Sequence, residues 1–493
     1  MSTSYKDTSK KKIFTPKRIV ILIVFLAGVS ILIAWAIIRF NPSIYRSLFL
    51  ASSKDTPESL DPDKADTTPV SYSDTDNSDF NDYTNKLLNL LVTSDTNTYN
   101  SSMEHPERYG VEQGKYSLNP NNQADTNAAY LTSFTDLKKR LATFDYSSLS
   151  FKQQKAYDEI RLCLDSYITK FTYPDLSEHK YSGSLSSQPN GKEYYEQLLE
   201  NSIGAGKTVD EYYKMNNAYL EQFFKGLDST SSGDQKKYKS YSTDGDPNEI
   251  LNKLKEMSKE HFPAVQDAQY TIEYSEDEGK YFVDAARYII PPLDDINKSK
   301  IILNKNAVNY SRDLFTILAH EGYPGHMYQV SYLSDKINKG EEDPVRYFTM
   351  NNGYTEGFAS YAEYLSYSYN DSVESGVSDV AKYYNFGYNA IYAKIDIEAN
   401  YYGKSIDELR SFLSGYGIRD SKVQDDLYND VTTNPGSRVI YAVGLEEVFE
   451  MQRKAKDIAG DNYSDDKFNR LITELGPMGF KDIEKRLYMI NNF

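Results

Sequence analysis

Two of the chain's 5 histidines fall six residues apart, in the run His320-Glu321-Gly322-Tyr323-Pro324-Gly325-His326-Met327-Tyr328-Gln329. A hydrolytic zinc centre takes about three protein ligands, keeps one position open, and needs a carboxylate to receive a proton from water. Neutral imidazoles suit that ion, and a carboxylate stands beside the first of them, so the run reads as a metal site. The spacing sets a steric problem. Imidazoles at i and i+4 share a helix face, whereas i and i+6 on an unbroken helix places His326 roughly 240° round the axis from His320. Pro324 resolves it, because it has no N–H for the His320 carbonyl and its ring presses on that carbonyl, so the helix must bend or bulge. Gly325 can then take backbone angles closed to other residues, letting His326 swing back towards the ion.

Further stretches join this one. Gly353-Tyr354-Thr355-Glu356-Gly357-Phe358-Ala359-Ser360-Tyr361-Ala362-Glu363 follows it, and Pro435-Gly436-Ser437-Arg438 runs on to Tyr441 and Gly444. Pro291-Pro292-Leu293-Asp294 and Ile301-Ile302-Leu303-Asn304 precede it. Together with His-Glu-x-x-Pro-Gly-His-x-x-Gln, these resemble the motifs of a large bacterial family catalogued as domain of unknown function 885 and assigned to the gluzincin zinc peptidases. The resemblance runs from about Asn81 to Phe493 and is strongest after Pro291. Phe358 stands where that family usually has Trp, and the Gly-Ser-Arg common after Pro-x-Leu-Asp is missing.

The resemblance implies one zinc ion held by His320, His326 and Glu356, with Glu321 as general base. The residues agree. Phe358, Tyr361, Ala362 and Leu365 fall at the spacing of a helix with one buried face, and Glu356 precedes that face by half a turn. Glu363, seven residues on, points nearly the same way, either to hold a ligand histidine in its tautomer or as an ordinary solvated carboxylate. Gln329 closes the first motif, one turn beyond His326. Tyr441 offers a phenol to a developing oxyanion, or is a buried aromatic in a chain of 45 Tyr. Arg438 is a candidate partner for a substrate carboxylate, against the alternative of a surface ion pair. His105, His179 and His261 have no companion carboxylate at ligand spacing and carry no assigned role.

The elements that position these residues are mainly α. Helical periodicity marks Tyr83 to Val92, Ala128 to Phe144, Phe151 to Phe171, Val209 to Leu227 and Asp379 to Asn400. Asp246-Pro247-Asn248-Glu249 is a capped helix start, with Ile250, Leu251, Leu254 and Met257 along one side. Tyr281 to Val283 and Lys300 to Asn304 have strand composition, predicting a small sheet beside the metal helix that offers an edge to an extended peptide. Ser311, Arg312 and Asp313 open the metal helix, and Leu314, Phe315 and Leu318 anchor it. The expected class is a large helical gluzincin-like domain over residues 80–493, preceded by one transmembrane helix.

That helix is Ile19 to Ile38, a run of 20 uncharged residues, long enough to cross a hydrocarbon core of about 30 Å. Lysines and arginines crowd residues 1–18, which keeps the amino terminus cytoplasmic and sends the rest outward. Ala34-Trp35-Ala36 resembles a signal-peptidase site, but signal cores usually span about 7–15 residues, so the reading is a retained anchor. Residues 39–79, poor in large apolar side chains, form a tether. The single cysteine, Cys163, excludes an internal disulfide and reads as a buried small hydrophobe. A formal net charge of −17 argues against nucleic acid as a partner, and Lys236, Lys237 and Lys239 make only a solvated loop.

The chain thus reads as a membrane-anchored extracellular zinc hydrolase acting on peptides. The rival is an extracellular binding or scaffold protein whose metal is structural or absent. Buried structural zinc normally takes four protein ligands and three are in hand, which favours an open, catalytic site.

Overall fold

Helical periodicity becomes helix in every segment that shows it. The computed structural model describes residues 70–93, 96–112, 123–275, 285–307 and 310–493. Within them the five marked segments are the helices Ser78–Thr93, Gln123–Leu141, Phe151–Thr172, Val209–Ser229 and Ser375–Asn400. Their ends are set by polar side chains that apolar spacing does not register. Thr208 accepts the Glu211 N–H while Glu211 bonds back to the Thr208 N–H, and Ser150 with Gln153 repeats the device. Asp246 accepts from Asn248 and Glu249 as expected, burying Leu251 and Leu254 but leaving Ile250 and Met257 half-buried. Lys236 and Lys237 belong to a short helix, Ser232–Lys237, capped by Ser231, in place of the expected loop.

The tether ends earlier than expected. Ser73 donates its N–H to the Leu149 carbonyl at 2.9 Å, and Asn77 accepts the Phe80 N–H to open the first helix. Polar residues of 70–79 bond to the body, so their lack of apolar surface does not keep them off it. The proposed membrane span, most of the tether and the strand expected at Tyr281 to Val283 lie outside the described residues. No described helix is long and apolar enough to cross a membrane. Asp407–Asp425 form a small unit of their own, and the main body holds all the elements that follow.

The sheet has three strands, β1 (Tyr270–Ser275), β2 (Ala286–Ile289) and β3 (Ser299–Asn304), in the order β1-β3-β2. β3 is central, parallel to β1 and antiparallel to β2, with Ile301 and Leu303 fully buried. β2 is the edge beside the helix Tyr310–Glu321 that carries His320. In that helix Leu314, Phe315 and Leu318 are buried as expected. Its regular turns begin after Asp313, whose φ of −115° and ψ of 19° break the helix. The Thr243 hydroxyl accepts the Phe315 N–H there, a cap from far upstream that no local pattern announces.

Glu356 lies in the helix Asn352–Tyr369, which begins a turn earlier than the apolar face suggests because Asn351 caps it, accepting the Tyr354 N–H. Phe358, Tyr361 and Ala362 are buried and Leu365 only half so. Complete burial of Phe358, packed against Phe262 and Tyr328, is worth roughly 1.5–3 kcal/mol. This helix crosses Ser437–Ala459 at a distance only glycine permits. A Cβ on Gly357 would stand 2.5 Å from the Gly444 carbonyl, and one on Gly444 would stand 2.6 Å from the Gly353 oxygen. The crossing draws Glu356 and Tyr441, on the two helices, to one place.

Candidate metal centre

The His320 helix stops at Glu321 and a new helix, His326–Asn338, begins at the second histidine. The bend expected at Pro324 is a full break. Gly322 still donates to the Leu318 carbonyl, and Gly325 donates to the Ala319 carbonyl, both at 2.9 Å, which folds the intervening turn tightly against the last helical residues. Gly325 is needed for space and not for left-handed backbone. Its φ is −75°, but a Cβ on it would stand 1.7 Å from the His320 carbonyl oxygen. The result is what the spacing alone forbids: the two imidazole centroids lie 4.9 Å apart.

Glu356 meets both rings through one oxygen. Its Oε2 is 3.4 Å from Nε2 of His320 and 3.4 Å from Nε2 of His326, and one ligand atom from each of the three residues lies within 4.8 Å of the others. Tetrahedral donors held about 2.0–2.1 Å from a zinc ion stand about 3.3–3.4 Å from one another, so two edges already have that length. The same Oε2 is buried and has no hydrogen-bond partner, a costly place for a carboxylate oxygen unless a cation shares it. Two imidazole nitrogens and a carboxylate oxygen are a donor set that fits zinc.

The electrostatics point the same way. Burial pushes the Glu356 carboxyl up, but the His326 charge and the close approach of both imidazoles outweigh it and hold the group well below the usual carboxylate range. Burial opposes charge on His320 too, yet the facing carboxylates of Glu356 and Glu363 and the nearby Glu321 raise its pKa well above the ordinary value. Positive charge is favoured where the three donors converge.

Around this triad, Glu363 sets its Oε2 3.3 Å from Nδ1 of His320 and accepts the Asn385 amide on its other oxygen at 2.7 Å. That leaves Nε2 of His320 turned to Glu356. Glu321 accepts the Tyr288 N–H of β2 at 2.7 Å, and burial raises its pKa against the pull of both imidazoles. Gln329 donates to the Thr355 carbonyl at 3.1 Å, tying the His326 helix to the Glu356 helix, while its Oε1 is buried without a hydrogen bond. The Tyr441 ring lies parallel to His320, centroids 5.9 Å apart at 14°, and remains 37 % exposed at the rim. Arg438, open between a substrate carboxylate and an ion pair, bonds Asp430 through Nε at 2.7 Å. The other histidines lie apart: His261 on Asp466 and Tyr369, His105 near Glu107, and His179 against Tyr181.

A cleft enclosing about 770 Å³, partly open to solvent, reaches His326 and Glu356. Tyr288, Ile290, Tyr347, Phe348, Met350 and Asn352 line it, all missed by sequence reasoning. The Pro-x-Leu-Asp segment was their one signal, and it acts as a brace. The Pro291 carbonyl accepts the Tyr347 hydroxyl at 2.7 Å, buried Leu293 accepts Ser334 at 2.6 Å, and Asp294 takes the N–H groups of Glu104 and His105.

The family described as "Bacterial protein of unknown function (DUF885)" matches residues 107–487. No curated protein matches the chain. Among solved structures, the "putative lipoprotein from Colwellia psychrerythraea" aligns with a TM-score of 0.53 at 16% identity, covering 75% of this chain and 71% of that one. A "putative lipoprotein of unknown function from Shewanella oneidensis" aligns at 0.48 and 13% identity, covering 83% and 82%. At these identities the first likeness concerns the fold.

Proposed function

The chain belongs to the DUF885 family, and from that premise we propose that it is a membrane-anchored extracellular zinc-dependent hydrolase of gluzincin type that cleaves peptides. The observation that carries this reading is the convergence of both Nε2 atoms on one buried Glu356 oxygen at 3.4 Å, with His326 and Glu356 opening onto a cleft.

Zinc held by His320, His326 and Glu356 supplies Lewis acidity, polarising a carbonyl and bringing the pKa of water towards ~7. Glu321 takes the proton from the attacking water and returns it to the leaving amine. The Tyr288 N–H occupies one of its oxygens and fixes the direction of the other. Glu363 holds His320 in the tautomer that turns Nε2 inward. Tyr441, stacked on His320, supplies its phenol to the oxyanion as the carbonyl becomes tetrahedral. Tyr288 of β2 and Ile290 just beyond it give an extended peptide a wall to lie against. Membrane anchoring rests on the uncharged run at 19–38, and the lipoprotein description of the Colwellia structure accords with it.

The test is elemental analysis of protein purified without added metal, followed by digestion of a mixed peptide library. One equivalent of zinc and cleavage are expected, and Glu321→Gln is expected to keep the metal while losing about 10²–10⁴-fold in rate. Stoichiometric metal with no cleavage would turn the assignment to a binding or scaffold protein.

A further inference from the structure

Beside the cleft at the metal centre lies a second hollow of about 650 Å³, and the two share Phe348, Met350 and Asn352 among their lining residues. The second hollow differs in chemistry. Ser166, Asn201 and Asn351 offer hydroxyl and amide groups, and of all the residues lining it Lys170 alone is charged. The chain as a whole carries a net charge of −17, so a cavity whose only charge is positive stands out against its surroundings. Lys170 lies in the last turn of Phe151–Thr172, exposed, with its ammonium 5.7 Å from the Phe171 ring centroid, and it pairs with no carboxylate among the described residues. A lysine at a helix C-terminus often serves only the helix dipole. This one also lines a hollow that borders the cleft at the metal centre through three shared residues.

We infer that the second hollow is a subsite for a substrate carboxylate, with Lys170 as the residue that selects it. The inference rests on the hydrolase reading and names its substrate class: peptides with a negative charge about three residues from the cleaved bond. Asn352 precedes Glu356 by four residues, about 6 Å along the helix axis. An extended peptide rising about 3.3 Å per residue therefore draws level with Asn352 about two residues from the metal, and Asn352 lines the same hollow as Lys170. The carboxylate can belong to an Asp or Glu side chain or to the peptide's own C-terminus.

The experiment is a kcat/KM profile of the full-length protein. The substrates carry Glu, Gln or Lys at each position from the second to the fifth on either side of the bond, with free or amidated C-termini. Wild type is expected to favour Glu at one position, Lys170→Gln to reduce that preference about fivefold, Lys170→Arg to keep it, and Lys170→Glu to invert it towards Lys. Peptides uncharged there are expected to be cleaved by all four at similar rates. Loss of the preference on amidation identifies the C-terminal carboxylate as its source, and persistence identifies the side chain. Identical profiles in wild type and Lys170→Glu overturn the subsite while leaving the hydrolase reading intact. Absence of any cleavage defeats the hydrolase reading instead. Fluorescence anisotropy of labelled Glu- and Lys-containing peptides then decides the subsite, which stands if Lys170→Glu inverts their relative affinity and falls if it does not.

Discussion

Gly325→Ala adds one carbon at the point where the chain turns back on the metal helix. That carbon would be 1.7 Å from the His320 carbonyl oxygen, 2.4 Å from the His320 carbonyl carbon and 2.5 Å from the Ala319 oxygen, three backbone atoms that no rotamer change relieves. Reaching even 3.0 Å from the first requires a retreat of about 1.3 Å, and the next residue in the chain is His326. Its Nε2 is an edge of 3.4 Å from Glu356, so a displacement of this size takes the imidazole out of ligand range. Overpacking of this kind costs typically about 1–3 kcal/mol of stability. Zinc affinity should fall by at least the 10–100-fold that removal of a mere outer partner of a ligand costs. Competition with a chromophoric chelator measures the second and a urea titration the first. Gly233→Ala is the control: it sits in a helix with its nearest neighbour at 3.5 Å and should leave both unchanged. If Gly325→Ala binds zinc and unfolds like wild type, steric room at Gly325 is not what seats His326.

Three further outcomes are expected. Glu363→Gln offers one acceptor where His320 Nδ1 and the Asn385 amide converge, so zinc affinity should drop about 10–100-fold in the same competition assay; wild-type affinity would relieve Glu363 of its role. Tyr441→Phe keeps the ring against His320 but loses the phenol, and should lower kcat about 10²–10³-fold with KM little changed; an unaltered kcat would reduce Tyr441 to a stacking partner. Glu446 is buried with neither carboxyl oxygen hydrogen-bonded, and burial, reinforced by Glu447 and Glu450, holds its pKa well above the ordinary 4.5. The unfolded chain ionises near 4.5 while the folded chain keeps the proton, so stability present below that pH is lost as pH rises, by about 1.4 kcal/mol per unit until the folded carboxyl also ionises. Glu446→Gln escapes this loss, and its advantage over wild type in urea should widen from pH 5 to pH 7; a constant gap would contradict the assignment.

What could be read from the sequence follows from how local each signal is. His320, Glu321 and His326 carry their own geometry, because Pro324 acts on the carbonyl of His320 four residues back, and the steric need for Gly325 arises within the same turn. Helices with one apolar face were legible for the same reason. Their ends were not: Asn351 and Thr243 cap through polar atoms, and Thr243 does so across 72 residues of chain. The cleft walls were hidden more deeply. β2 is only four residues long, too short to show a period of two, yet its Tyr288 N–H holds Glu321. Arg438 shows the converse case, where the motif leaves a substrate carboxylate and an ion pair both open and only the fold supplies Asp430 as a partner. The glycines mark the boundary between the two cases. Gly357 beside Glu356 and Gly444 beyond Tyr441 are each visible, but their meaning is a single backbone crossing that neither stretch specifies without the other. Since a Cβ at either position strikes the other helix, the pair fixes how close the third ligand comes to the ring stacked on the first, and a motif of small residues does its chemical work through distance alone.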